Sequence, residues 1–188
     1  MRTDVRSTRL RSALVAALLT VIGAVLVSAC GSDPGPAATH NATDDAFVVA
    51  MARHHQRAIE VGQLAADRGT DRRVADYGRL IVSQQTPELQ KLNGWSGHWA
   101  LPSAAAGAAM PDGYITDAAL AGLRAQSGVA FDRAVLLASA DSETGAAAMA
   151  QRELASGVYG PARELATSIA TAPTTQIPNL RALAAQLG

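Results

Sequence analysis

Asp44-Asp45-Ala46-Phe47-Val48-Val49-Ala50-Met51-Ala52-Arg53-His54-His55-Gln56-Arg57-Ala58 can be set without a gap against Asp132-Arg133-Ala134-Val135-Leu136-Leu137-Ala138-Ser139-Ala140-Asp141-Ser142-Glu143-Thr144-Gly145-Ala146. The match is one of pattern more than identity. The same offset of 88 residues pairs Gln63 with Gln151, Ile81 with Ile169, Glu88 with Gln176 and Leu89 with Ile177, so it extends through a second segment of each half. A self-similarity of this length reads as a duplicated helical hairpin. The first copy places Met51, His54 and His55 at i, i+3 and i+4, which brings a thioether and two imidazoles onto one stretch of helix surface. The second copy has Ser139, Ser142 and Glu143 there.

Outward from the repeat, the N-terminus indicates the compartment. Arg2, Arg6, Arg9 and Arg11 precede an apolar stretch from Ala13 to Val27, which ends in Val27-Ser28-Ala29-Cys30 ahead of the single cysteine. A basic region, a short apolar run and small residues are the parts of a secretory signal, and about 15 apolar residues fall short of the ~20 a spanning helix needs. The Val-Ser-Ala-Cys ending resembles the bacterial lipobox, which implies a lipidated (palmitate-type) Cys30 and a lipoprotein held on the outer face of the cytoplasmic membrane. A lone cysteine excludes an intrachain disulfide. The plainer alternative is an ordinary secretory signal beside a free thiol. Gly31 to His40 is poor in bulky apolar residues and reads as a tether. The chain then divides into a signal peptide over 1–29, a tether over 30–42 and a folded domain over 43–188.

The whole chain balances 16 basic against 16 acidic residues, but without the four arginines and Asp4 of the signal the remainder carries 12 against 15. A net charge of −3 argues against a nucleic-acid partner, which calls for a basic face. Aromatics are scarce and no alternating apolar run marks a strand, so the expected class is all-α, an antiparallel four-helix bundle built from the duplicated hairpin. The first helix is expected from an N-cap at Thr43 to about Asp67, closed by Gly69, with Phe47, Met51, His54, Ala58, Val61 and Ala65 inward. The second is expected from about Asp71 to Leu92, burying Val74, Tyr77, Leu80, Ile81 and Leu89, with a kink or split at Pro87. An irregular crossover follows over Asn93–Gly113, its Trp95 and Trp99 closing one end of the bundle. A short helix over Thr116–Gln126 leads to a third long one over about Val129–Ser156. The fourth starts at Pro161, breaks after Ala172 and resumes from Pro178 to Gln186.

Phe47, Met51, His54-His55 and Ala58, followed by Ile81, Gln84 or Gln85, Glu88 and Trp95, resemble the family known as domain of unknown function 305 over about residues 43–187. That resemblance implies a ferritin-like bundle, often exported, made of two Met-x-x-His-His hairpins, and for some members copper or silver binding. The second half keeps Gly145-Ala146 and Met149-Ala150 and departs from the motif at the methionine and both histidines.

Thioether and neutral imidazole favour Cu(I), Ag(I) or Cu(II) over Mg(II) or Ca(II). Adjacent histidines diverge by about 100° around a helix, so Met51 with His55, or Met51 with His54, is the better chelating pair. Met149, Glu143, Glu88, His98 and Met110 are further candidate donors. Against this stands a structural reading in which His54 is a hydrogen-bonded core residue, His55 is partly exposed, and Met51 and Met149 fill the core. Arg53 and Arg57 read as a solvated face. No Glu-x-x-His pair, Gly-x-Ser-x-Gly, phosphate-binding glycine loop or His-Glu-x-x-His is present, so an enzyme is not expected. Two functions remain: an envelope lipoprotein that binds a copper- or silver-type ion through Met51, His54 and His55, with Glu143 and Met149 opposite, or a helical interaction module whose metal site has been lost. The sequence does not name a protein partner.

Overall fold

In a computed structural model the described residues are 39–102 and 110–187, so the signal, Cys30 and most of the tether lie outside them. Six helices follow one another: α1 (Ala42–Arg68), α2 (Arg72–His98), α3 (Asp117–Ala125), α4 (Gly128–Ser156), α5 (Gly160–Thr171) and α6 (Pro173–Gln186). No strand occurs among the described residues. Helices α1 and α2 form one hairpin, α4 pairs with α5 and α6 to form the other, and α1 lies against α4. The result is a four-helix bundle whose fourth rod is two helices.

Several boundaries differ from those expected, each for a local reason. Asn41 caps α1 rather than Thr43: its side chain accepts from the Thr43 and Asp44 amides while Asp44 accepts from the Asn41 amide, closing a capping box. Helix α2 runs through Pro87 to His98 instead of ending near Leu92. Pro87 is exposed, as is Ser83 one turn earlier, so the carbonyl that loses its partner faces water. The last turns of α2 are held by Leu92, Trp95 and Trp99, which pack on the core. The fourth rod breaks at Ala172, as expected, but resumes at once with Pro173 in its first turn, and Pro178 sits inside α6. Proline in a first turn sacrifices no hydrogen bond. Leu80, expected inside, is 45% exposed.

The duplication is written most clearly in two clasps. Asp132, near the start of α4, accepts the amides of Thr70 and Asp71 and the Thr70 hydroxyl at 2.6–3.1 Å, tying down the α1–α2 turn. Asp44, 88 positions earlier in α1, accepts the amides of Val158 and Tyr159 at 2.9–3.2 Å in the α4–α5 turn. Thr70 and Asp71 correspond to Val158 and Tyr159 by the same offset, so each half holds the other's turn by the same contact. Gly69 and Gly157 end α1 and α4 with matching amide bonds to the carbonyls of Ala65 and Glu153.

Two apolar clusters follow the same exchange. One contains Phe47, Val48, Met51, Leu92, Met149 and Ala162. The other contains the counterparts of all of these but Met51, namely Val135, Leu136, Leu180, Val61 and Val74, with Ile115, Leu120 and Leu123 of the α3 region added. Each cluster draws on both halves, so neither hairpin has a core without the other. Close approach of α1 and α2 depends on Gly78, where a Cβ would fall 2.4 Å from the Gly62 carbonyl oxygen and 2.5 Å from the Ala66 nitrogen.

Candidate metal site at the bundle waist

Between the two apolar clusters lies a band of buried polar side chains: His54, His55, Gln85, Ser139, Ser142 and Glu143. The helical rhythm puts His54 and His55 one turn after Met51 on α1, and the clasps fix α4 so that its aligned positions face them. His54 meets its own counterpart. Its Nε2 lies 3.0 Å from the Ser142 carbonyl oxygen and 3.0 Å from the Ser142 hydroxyl. A carbonyl can only accept, so the ring proton sits on Nε2 and Nδ1 keeps its lone pair. His55 Nε2 donates to Glu88 Oε2 at 2.8 Å, linking α1 to α2. Both Nδ1 atoms are buried with no hydrogen-bond partner.

Electrostatics follow from the burial. His54 is 2% exposed, and burial, then the neighbouring His55, lowers its pKa to about 4 despite the Ser142 bond. It is therefore neutral at ordinary pH, and the imidazole range near ~6.5 expected from an unperturbed histidine does not apply to it. Glu143 is pushed up to about 7, by burial first and then by the charge of Glu88. Tyr77 is raised by its burial and by Glu143.

The proposed donors fall into two groups. Met51 and Met149 share one apolar cluster and are almost wholly buried. His55, Glu88 and Glu143 line one cleft of about 290 Å³ with Gln84, Gln85 and Gln176. His55 is fully enclosed rather than partly exposed, at 2%. His98 is exposed in the last turn of α2, away from this band, and Met110 is 48% exposed with its sulfur 3.0 Å from an Arg53 nitrogen. Among the described residues no three His, Cys, Asp or Glu side chains stand close enough to hold an ion together. The soft donors of the band are the thioether of Met51 and the ring nitrogens of His54 and His55.

Other residues have roles that the sequence reading did not assign. Arg57 is not on a solvated face: it bonds Tyr114 at 2.9 Å, pairs with Asp117, and so ties α1 to the start of α3. Gly145, its counterpart in α4, has no room for a side chain because the Asp112 carbonyl oxygen would lie 2.1 Å from a Cβ. Glu153 is wholly buried beside Asp44, and burial, then that carboxylate, raises it to about 7. The signal for the Asp44 and Asp132 clasps was present as the identical residue that anchors the alignment, but its partners are backbone amides, which leave no mark in a sequence.

The family model described as "Domain of unknown function (DUF305)" matches residues 44–184. No curated protein sequence matches the chain. Among solved structures, a DUF305 protein from Streptomyces coelicolor is similar with 25% identity and a TM-score of 0.71, covering 78% of this chain and 92% of that one. A DUF305 fragment from Deinococcus radiodurans shares 20% identity at a TM-score of 0.69, over 78% and 97% of the two chains. CopM in its Cu(I)-bound form shares 20% identity at a TM-score of 0.63, over 76% and 96%, and CopM has also been solved with Cu(II) and with silver.

Proposed function

Because the chain belongs to the DUF305 family, we propose that it is an exported lipoprotein whose bundle binds one copper- or silver-type ion at its waist. The observation that carries this reading is the pair of buried imidazoles whose Nε2 protons are already taken, one by the Ser142 carbonyl and one by the Glu88 carboxylate, with both Nδ1 atoms left without a partner. Metal-binding histidines are held in this way, the second nitrogen donating to a carbonyl or carboxylate that fixes the ring and its tautomer. The buried Met51 lies on the same stretch of α1 and adds a soft sulfur, with Met149 in the same cluster and Glu143 across from His55. CopM, a bundle of the same fold, has copper- and silver-bound forms. The role assigned is binding, not catalysis.

Anchoring rests on Val27-Ser28-Ala29-Cys30: a lipidated Cys30 would hold the domain on the outer face of the membrane. Among the described residues no helix is long and apolar enough to cross it. Silver or Cu(I) titration with a competing chelator tests the metal reading. The expected result is one ion per chain in the wild type and at least a tenfold weaker affinity in the Met51→Ala, His54→Ala, His55→Ala variant. Equal affinities would remove the site. A membrane fraction lacking the wild-type protein would remove the anchor, and Cys30→Ala should release or mislocalise it.

The alternative, an interaction module that has lost its metal, has one observation in its favour. A groove of about 500 Å³ between the start of α1 and the end of α4, lined by Ala42, Ala46, Phe47, Ala50 and Met149, stands open. Retained affinity for a protein partner in the triple variant would support that reading.

A further inference from the structure

The end of the bundle where the chain enters α1 is aromatic. Trp99 stacks on Trp95 with ring centroids 6.4 Å apart, and Tyr159 sits edge-on to both at 4.9 and 5.5 Å. His40, which precedes α1, lies flat on Trp99 at 4.1 Å with its Nδ1 2.6 Å from Asp45. The chain therefore reaches the bundle at its tryptophan end. Beside Tyr159, Val158 is 54% exposed. Lys91, Trp95 and His98 are spaced by four and three residues along one side of α2, and Trp99 follows as its C-cap, with Lys91 and His98 exposed and both tryptophans partly so.

Charge points the same way. From residue 89 to residue 111 the chain carries Lys91 and His98 and no carboxylate. On the neighbouring turn Arg163 bonds the carbonyls of Leu154 and Gly157, adding a cation close to Val158. The acids nearby are Asp45, engaged by His40, Asp44, enclosed in its clasp, Glu153, wholly buried beside Asp44, and the exposed Glu164. Tryptophan and tyrosine, part apolar and part polar, are the side chains that settle at a membrane surface, and lysine and arginine beside them meet anionic headgroups.

We propose that this end of the bundle, through Trp95, Trp99, Val158 and Tyr159 with Lys91 beside them, rests on the surface of the anionic lipid bilayer to which Cys30 is anchored. The inference rests on the anchor proposed above and adds an orientation to it. Ten residue steps separate Cys30 from His40, at most about 35 Å of chain, so the end of the bundle that the chain enters is within reach of the anchoring bilayer. The consequence is a bundle standing with its α4 start and α3 toward the exterior.

Both tryptophans of the chain lie at this end, so intrinsic fluorescence reports on it alone. The lipidated full-length product, reconstituted into phosphatidylcholine–phosphatidylglycerol vesicles with brominated acyl chains, should lose at least about half its tryptophan emission relative to unbrominated vesicles. Lys91→Glu should reduce that quenching. Flotation of the same sample reads the anchor separately. Protein that floats with the vesicles but shows no bromine quenching overturns the orientation and leaves the anchor standing. Protein that does not float overturns both.

Discussion

The two hairpins share a backbone plan and have been given different chemistry. At the positions where α1 carries Met51, His54 and His55, α4 carries Ser139, Ser142 and Glu143, and the aligned pair His54 and Ser142 are bonded to each other across the bundle. Where the second half has no imidazole it supplies an acceptor, the Ser142 main-chain carbonyl. The difference teaches that a half without the motif still positions the other half's imidazole: the Ser142 main-chain carbonyl fixes the tautomer of His54, and the small side chain brings its hydroxyl to the same Nε2. A second asymmetry lies outside the waist. Helix α3 places Leu120 and Leu123 over the groove between α1 and α4 at one end, while the groove related to it by the 88-residue offset stands open.

The clasps offer the largest test of this pairing. Asp44→Ala and Asp132→Ala each strand two backbone amides of a turn, and each should cost roughly 3 kcal/mol or more in denaturant unfolding. Similar losses would match the duplicated geometry. A loss confined to one variant would break the comparison.

Rebuilding the missing motif is the next largest. Ser139→Met, Ser142→His, Glu143→His should raise silver affinity about 100-fold, about 2.7 kcal/mol, as read by chelator competition. An unchanged affinity would show that the halves do not converge on one ion.

The waist should also make stability depend on pH from both sides. An unfolded His54 takes a proton below ~6.5, whereas the native ring resists until about 4. Stability therefore falls as pH drops across that window, by roughly 3 kcal/mol. Glu143 acts in the opposite sense: its native carboxyl holds a proton up to about 7 while the unfolded one releases it near 4.5, so stability falls as pH rises between them. Denaturation of Glu143→Gln across pH 4–8 should show the second loss reduced and the first intact.

The smallest effect separates the two methionines. Met51→Leu and Met149→Leu should each change stability by less than ~1.5 kcal/mol, since both occupy one apolar cluster and the exchange conserves volume. Met51→Leu should in addition weaken silver binding. Equal metal affinity in all three proteins would make both methionines core filler.

Much of this molecule is legible in the chain itself. The 88-residue offset, the helical periodicity and the Met51, His54, His55 spacing depend on residues close in sequence, and local geometry makes such spacings readable: side chains three and four apart share a helix face whatever the rest does. They led to the all-helical duplicated bundle and to the stretch of α1 that carries the two buried imidazoles. Helix ends were less legible, because whether α2 survives Pro87 depends on which way Ser83 faces and on what Trp95 and Trp99 pack against. What only the tertiary structure decided is the company each polar group keeps. The His54 bond to Ser142, the His55 bond to Glu88 and the exchanged aspartate clasps join residues 33 to 115 positions apart. Burial, which lowers the pKa of His54 and raises that of Glu143, is a property of the assembled bundle and not of either residue, since desolvation arises only when the second hairpin closes over the first.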